Sequence, residues 1–277
     1  SWLMPDIDQL SINLATIRER CTISEALDLV ARLDIPAVSP WRDQIAEIGL
    51  KATARQVREL GLRVSGVCRG GMFPANTQQE WEANLEDNLR ALEEAAELNA
   101  DCLVLVTGGL PKGSRDLAKA RQQVEEGIAW LLERAIPEGI PLAIEPLHPM
   151  YCADRSVVNT LSQAVDLCDL LGKGVGVACD VYHLWWDPDL QTQIARAGQS
   201  RIFAYHICDW LSDTKHLLLD RGMMGDGVID LPQIRSWVES TGYSGFHEVE
   251  IFSQENWWKR DPEEVMHICI ERHQKCS

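Results

Sequence analysis

The sequence predicts an α/β fold, a single (β/α)₈ (TIM) barrel spanning residues 1–277. Three observations carry that expectation. Eight short runs rich in Val, Ile and Leu alternate with longer segments of helical period. The runs are continuously apolar, as parallel strands buried on both faces are. No Pro/Gly/Ser linker or composition shift divides the chain, and 277 residues is an ordinary length for one barrel.

In chain order, the predicted strands cover residues 9–15, 35–39, 62–68, 102–107, 140–145, 174–180, 202–208 and 246–251, each followed by a helix. Trp81, Leu85, Leu89, Leu92 and Ala96 stand three or four apart and should line the sheet-facing side of a helix over 81–99. Val124, Ile128, Leu131 and Ala135 repeat the pattern in the next helix, and Leu161, Val165, Cys168 and Leu171 in the one after. Leu60-Gly61, Pro137-Glu138-Gly139, Leu171-Gly172 and Thr241-Gly242 supply helix-ending glycines just ahead of strands. A doubly wound open sheet is the alternative, but no Gly-x-Gly-x-x-Gly follows the first strand and no Gly-Lys-Ser/Thr phosphate loop is present.

Composition narrows the function. Lys and Arg number 26 against 42 Asp and Glu, a net charge of −16, which argues against a nucleic-acid binder. No run approaches the length of a membrane span, and the first residues lack the basic-then-apolar order of a secretion signal, so a cytoplasmic protein is expected. Nine scattered cysteines without a Cys-x-x-Cys pair suggest reduced thiols, with Cys102, Cys179 and Cys208 inside apolar runs as small buried hydrophobes.

Barrel enzymes work at the C-terminal ends of their strands, so polar residues that close apolar runs identify the site. The fifth strand ends at Glu145, the sixth at Asp180, the seventh contains His206 and the eighth ends at Glu250. Three carboxylates crowded with one imidazole repel each other unless a cation neutralises them. An oxygen-rich set with a single nitrogen favours Mn²⁺, with Mg²⁺ or Co²⁺ also admissible. Asp180, His206, Glu145 and Glu250 are therefore the predicted ligands of one divalent metal ion.

Ile144-Glu145-Pro146, Asp180-Val-Tyr-His183, His206-Ile-Cys-Asp209, Gly225-Asp-Gly227-Val-Ile-Asp230 and Glu248-Val-Glu250 occur in this order over most of the chain. With these motifs the chain resembles the xylose isomerase-like barrel family of sugar isomerases and epimerases, and within it the ketose 3-epimerases. The resemblance implies that Glu145, Asp180, His206 and Glu250 hold one divalent metal, that the two glutamates also move protons, and that His183 touches a substrate oxygen. The implied chemistry is sound on its own terms, because a proton next to a carbonyl needs a placed base and stabilisation of the enediolate charge. Glu145 and Glu250, on different strands, could abstract and return that proton from opposite faces and so invert a centre. Transfer between adjacent carbons would instead interconvert an aldose and a ketose.

Further candidates surround this set. His183 leaves the sixth strand for the following loop and can face the pocket, and His148 is equally well placed as an oxygen contact, a further base or a loop anchor. The family pattern runs quickly from its histidine to a substrate-contacting Arg; here residues 209–220 intervene before Arg221, the plausible equivalent. The inserted segment could form a lid or lengthen the pocket. Trp185-Trp186 and Trp257-Trp258 are expected mostly in packing or interfaces, which would fit a homo-oligomer or a partner subunit. Trp41-Arg42, Arg69-Gly-Gly71 and Thr107-Gly-Gly109 end the second, third and fourth strands as rim loops that could shape the sugar pocket, with their glycines alternatively expected as plain turn residues.

The expected activity is thus a metal-dependent sugar isomerase or epimerase acting on a small molecule, with neither nucleic acid nor membrane as partner. The absence of a phosphate cradle favours an unphosphorylated sugar or 3-oxo-glycoside. Elimination by a lyase or dehydratase is the nearest rival, and a barrel that binds metal and sugar without turnover is a third reading. The family's DNA-repair endonuclease branch needs several additional histidines, whereas this chain has seven and none before His148.

Overall fold

A computed structural model describes residues 4–277; residues 1–3, part of the stretch expected to carry no secretion signal, lie outside the described residues. The strands are β1 (Leu10–Asn13), β2 (Ala37–Ser39), β3 (Arg63–Val64), β4 (Val67–Gly71), β5 (Leu103–Val106), β6 (Leu142–Ile144), β7 (Val175–Asp180), β8 (Ile202–Ile207) and β9 (His247–Val249). All pair in parallel, in the order β3-β2-β1-β9-β8-β7-β6-β5-β4. The ends of this order meet through a parallel bridge between Trp41 and Cys68, so the sheet is a nearly closed barrel. The helices between the strands are α1 (Ile23–Arg32), α2 (Arg42–Ile48), α3 (Leu50–Glu59), α4 (Gln78–Glu97), α5 (Leu117–Glu138), α6 (Leu161–Leu171), α7 (Val181–Leu184), α8 (Leu190–Ala197), α9 (Leu231–Ser240) and α10 (Pro262–Cys276). None of them is long and apolar enough to cross a membrane.

Each predicted strand is found with its ends trimmed, except the third, which divides at Ser65-Gly66 into β3 and β4. Its first half pairs with β2, Ala37 opposite Arg63, and its second half with β5, Val67 opposite Leu103. Tilted strands in a barrel meet one neighbour low and the other high, and the change of partner falls between the two halves.

The helix-ending glycines behave as expected. Gly139 closes α5 in the left-handed conformation at φ 68°, and Gly61, Gly172 and Gly242 also have positive φ. Val124, Ile128, Leu131 and Ala135 of α5 are buried, as are Leu161, Val165 and Cys168 of α6. In α4 the predicted stripe holds at four of its five positions, with Leu92 buried and Trp81, Leu85 and Ala96 packed on the core, but Leu89 is exposed and the buried face runs through Asn88, Ala91, Leu92 and Ala95. The reason is polar. The Asn88 side chain accepts from the Gly71 N–H at 2.6 Å and donates to the Gly71 carbonyl at 2.8 Å, satisfying both backbone groups where β4 ends. Asn88→Ala is expected to cost about 1–3 kcal/mol by leaving them unpaired, a fall of several degrees in Tm on a thermal melt. An unchanged melt would mean that water replaces the amide without cost.

The barrel interior has a floor of small side chains, Cys68, Cys102, Val104, Ala143, Ala178 and Ala204. All nine cysteines are free, and Cys102, Cys179 and Cys208 are buried. Short floor residues leave room at the C-terminal ends of the strands for the polar groups described next.

Candidate metal centre

Strand register assembles the centre. Asp180 lies opposite His206 on β8, and His206 lies opposite Glu248 on β9. Side chains two apart on a strand share a face, so Glu250 points the same way as Glu248. Glu145 follows β6 by one residue and is tied to the sheet by its N–H, which donates to the Leu105 carbonyl at 3.0 Å; Glu250 is tied likewise to Ile207 at 3.1 Å. Glu145, Asp180, His206 and Glu250 are all buried, and each offers a ligand atom within 4.8 Å of the others.

The environment sets the four groups apart. Burial pushes the Glu145 carboxyl up from its ordinary value against the pull of His206. It pushes Glu250 well up, with Glu145 adding to the effect and Arg221 opposing it. Asp180 is also buried, but Arg221, His183 and His206 outweigh that penalty and hold it below the usual carboxylate range. For His206, burial alone would depress the imidazole; Glu248, Glu145 and Glu250 overcome it and hold the ring well above the ordinary histidine value.

The donor set fits a divalent cation. His206 Nδ1 stands 3.4 Å from Glu145 Oε1 and 3.8 Å from Glu250 Oε1, and Nε2 stands 3.2 Å from Glu248 Oε2. Yet among the described residues neither ring nitrogen of this fully buried imidazole has a hydrogen-bond partner. An orphaned nitrogen facing carboxylates that repel one another is the arrangement an ion would satisfy. Adding Mn²⁺ at a hundred times its Kd is expected to stabilise the protein by about 2.7 kcal/mol, read as a rise in Tm that EDTA reverses. No shift at any Mn²⁺ concentration would remove the metal from this account.

The centre opens into a cavity of about 330 Å³ whose walls include Glu145, His183, Arg221 and Glu250. His183 belongs to the single turn α7 rather than to a loop, and its Nδ1 accepts the His148 backbone N–H at 3.0 Å. Burial pushes its pKa down to about 3, so the ring is neutral at physiological pH; with Nδ1 accepting, its proton lies on Nε2, which stands 3.3 Å from Arg221 Nη2 and 3.9 Å from Glu145 and Asp180. Arg221 is buried, with Nη1 3.1 Å from Asp180 and 3.4 Å from Glu250 and its guanidinium 4.3 Å from the Tyr182 ring. His148 is not brought to the cavity. Its Nδ1 accepts from the Met150 N–H and its ring stacks on Trp210 at 5.4 Å, the arrangement of a loop anchor.

The inserted segment builds part of the wall. Leu218 and Leu219 line the cavity, and Trp210 packs on Tyr182 at 4.7 Å. Asp209 anchors the return, its two carboxylate oxygens accepting from the backbone N–H groups of Trp210, Gly225, Gly227 and Ile229. Asp230, the last residue of that motif, caps α9. Trp257 and Trp258 are buried, Trp258 donating to the Ala15 carbonyl at 2.7 Å while also lining the cavity.

Sequence reading missed Asn13 altogether and gave Glu248 no role. Asn13 Nδ2 donates to Glu250 at 2.8 Å and Glu248 at 3.0 Å, while its oxygen accepts from Trp41 Nε1 at 2.8 Å. Glu248 also accepts from Ser65 at 2.7 Å. The signal for Glu248 was its two-residue spacing from Glu250; Asn13 is the polar residue that closes β1, a signal hidden because the predicted strand ran on to Ala15.

A parallel barrel with carboxylates and a histidine converging at its C-terminal rim defines the class: a barrel enzyme with a candidate centre for a divalent metal. The chain belongs to the xylose isomerase-like TIM barrel family, whose model matches residues 27–268. It is similar to protein SMc04130 of Sinorhizobium meliloti 1021, whose crystal structure superimposes with a TM-score of 0.96 at 59% identity over 98% of this chain and 99% of that one. The IOLI protein, solved with a bound zinc atom, shares the fold at TM-score 0.83 and 21% identity, over 95% and 96% of the two chains. The inosose isomerase of Halalkalibacterium halodurans is 30% identical over 128 residues; that match spans 45% of this chain and 44% of the isomerase, less than half of each. The L-ribulose-5-phosphate 3-epimerase UlaE of Escherichia coli O157:H7 is 23% identical over 210 residues, 73% of this chain and 69% of that one.

Proposed function

We propose that the protein is a divalent-metal-dependent sugar isomerase or epimerase that moves a proton at a carbon next to a carbonyl. The observation that carries this reading is the pair of buried glutamates, Glu145 and Glu250, that face one cavity from different strands within ligand distance of Asp180 and His206. Glu145, Asp180, His206 and Glu250 would hold the cation, with Mn²⁺ favoured by three carboxylates and one nitrogen, although the IOLI protein carries zinc. When bound, the cation supplies electrophilic stabilisation of charge developing on substrate oxygen.

The chain's own residues do the rest. One glutamate takes the proton, the C–H electron pair moves into the C=C bond of an enediolate, and the carbonyl oxygen takes the charge. Return of a proton by the other glutamate to the opposite face inverts the centre; return to the neighbouring carbon gives the aldose–ketose exchange. The neutral His183 donates from Nε2 to a substrate oxygen, and Arg221 holds Asp180 ionised while contributing positive charge to the pocket. Leu218, Leu219, Trp41 and Trp258 exclude water around the reacting carbon.

Incubating the Mn²⁺-loaded protein with inosose and a panel of ketohexoses in D₂O tests this. Deuterium is expected to enter at the carbon beside the carbonyl with no group lost, read by NMR. An eliminated product would move the assignment to a lyase, and no exchange with any of these ketones would end it.

A further inference from the structure

The cavity holds four arginines, and the charge they leave over says what else the substrate carries. Arg18 is paired with Asp43 at 3.0 Å, and Arg221 with Asp180 and Glu250. A divalent cation together with Arg221 would balance Glu145, Asp180 and Glu250, and Glu248 lies behind His206, off the cavity wall. Arg69 and Arg155 also line the cavity, and among the described residues neither makes an ion pair or a side-chain hydrogen bond. Of the remaining acidic lining, Asp43 is already paired and Glu19 is an exposed rim residue.

Both guanidiniums stand on fixed backbone. Arg69 lies in β4, two residues before Gly71, whose N–H and carbonyl are clamped by buried Asn88. Gly71 has φ 105°, and a Cβ there would stand 2.0 Å from the Val106 carbonyl oxygen, so β4 is pressed against β5. Arg155 follows β6 on the other side of β5. The Arg155 N–H donates to the Tyr151 carbonyl at 3.0 Å, and Gly108 bridges Ser156. At Gly109 a Cβ would lie 2.5 Å from the Ala153 carbonyl oxygen and 2.8 Å from the Arg155 nitrogen, so only glycine lets this loop approach. The Arg155 guanidinium lies 5.7 Å from the Tyr151 ring centroid. The two cations are near enough to act on each other: burial, then Arg155, lowers the pKa of Arg69.

We propose that Arg69 and Arg155 bind an oxyanion on the substrate, a carboxylate or a phosphate monoester, so that the substrate is an acidic keto-sugar rather than a neutral one. Two unpaired guanidiniums held in a half-buried pocket raise each other's energy, and a shared oxyanion accepting hydrogen bonds from both removes that cost. The expectation of an unphosphorylated sugar or 3-oxo-glycoside rested on the absence of a phosphate cradle; paired arginines recognise an oxyanion without one. This inference rests on the sugar isomerase or epimerase reading of the same cavity.

The test is calorimetric binding to the Mn²⁺-loaded protein of three ligands: a neutral ketose, its terminal phosphate ester and the corresponding keto-sugar acid. At least one anion is expected to bind ten-fold or more tightly than the neutral ketose, and which one does so identifies the substituent. Arg69→Gln and Arg155→Gln are each expected to shrink that preference about ten-fold, with thermal melts reporting that both variants fold. A neutral ketose that binds as well as both anions, or a preference that survives in both variants, overturns the proposal. Deuterium exchange on the same samples separates the two readings: selective binding of an anion without exchange sinks the proton-transfer assignment alone, whereas exchange of ketoses without anion preference sinks this one alone.

Discussion

Glu145→Gln and Glu250→Gln are each expected to lower turnover and deuterium exchange by a factor of about 10²–10⁴, the contribution of a placed general acid or base. Glutamine keeps the shape and one ligand oxygen but cannot take a proton from carbon. Because both glutamates are also candidate ligands, the exchange must be measured at Mn²⁺ concentrations that saturate each variant, established by titration. A variant that binds metal and still reacts at the parental rate would show that its glutamate is not the base. If both behaved so, the mechanism would be wrong.

Glu248→Gln should weaken Mn²⁺ binding by a factor of about 10–100, the usual cost of removing a partner behind a metal-binding histidine. Glu248 stands 3.2 Å from His206 Nε2 and is held by Asn13 and Ser65. Its charge favours the tautomer with the proton on Nε2, which leaves the Nδ1 lone pair toward Glu145 and Glu250. A glutamine keeps the volume and loses that bias. Calorimetric titration of the apoprotein reads the effect without any assay of activity. Unchanged affinity would mean that the ring is oriented by its packing alone.

The comparison of residues with structure divides cleanly by range. Seven of the eight predicted strands survive with trimmed ends because an apolar run bounded by turn residues is a local signal. The third divides because its partners, β2 and β5, are set by the tilt of the barrel, which no single segment encodes. On α4 a stripe through Leu89 and one through Asn88 both fit the helical period, and the choice went to the residue whose amide meets Gly71, 17 positions away. His148 and His183 looked equivalent in sequence, each close behind a strand-end carboxylate. Only the path of the chain decided between them: the ring of His148 turns to Trp210, and its backbone N–H fixes the ring of His183 toward the centre.

The order of strands and helices, the residues that end each apolar run and the chemistry those residues can support were determined by the sequence alone, because periodicity and residue type act over a few positions. The tertiary structure decided which of them meet. It brought Asn13 and Glu248 behind the ligands, carried Arg221 across the inserted segment to Asp180, and left Arg69 and Arg155 unpaired on either side of β5. These are contacts between segments far apart in the chain, fixed by barrel register and side-chain direction, and a linear pattern holds no record of either.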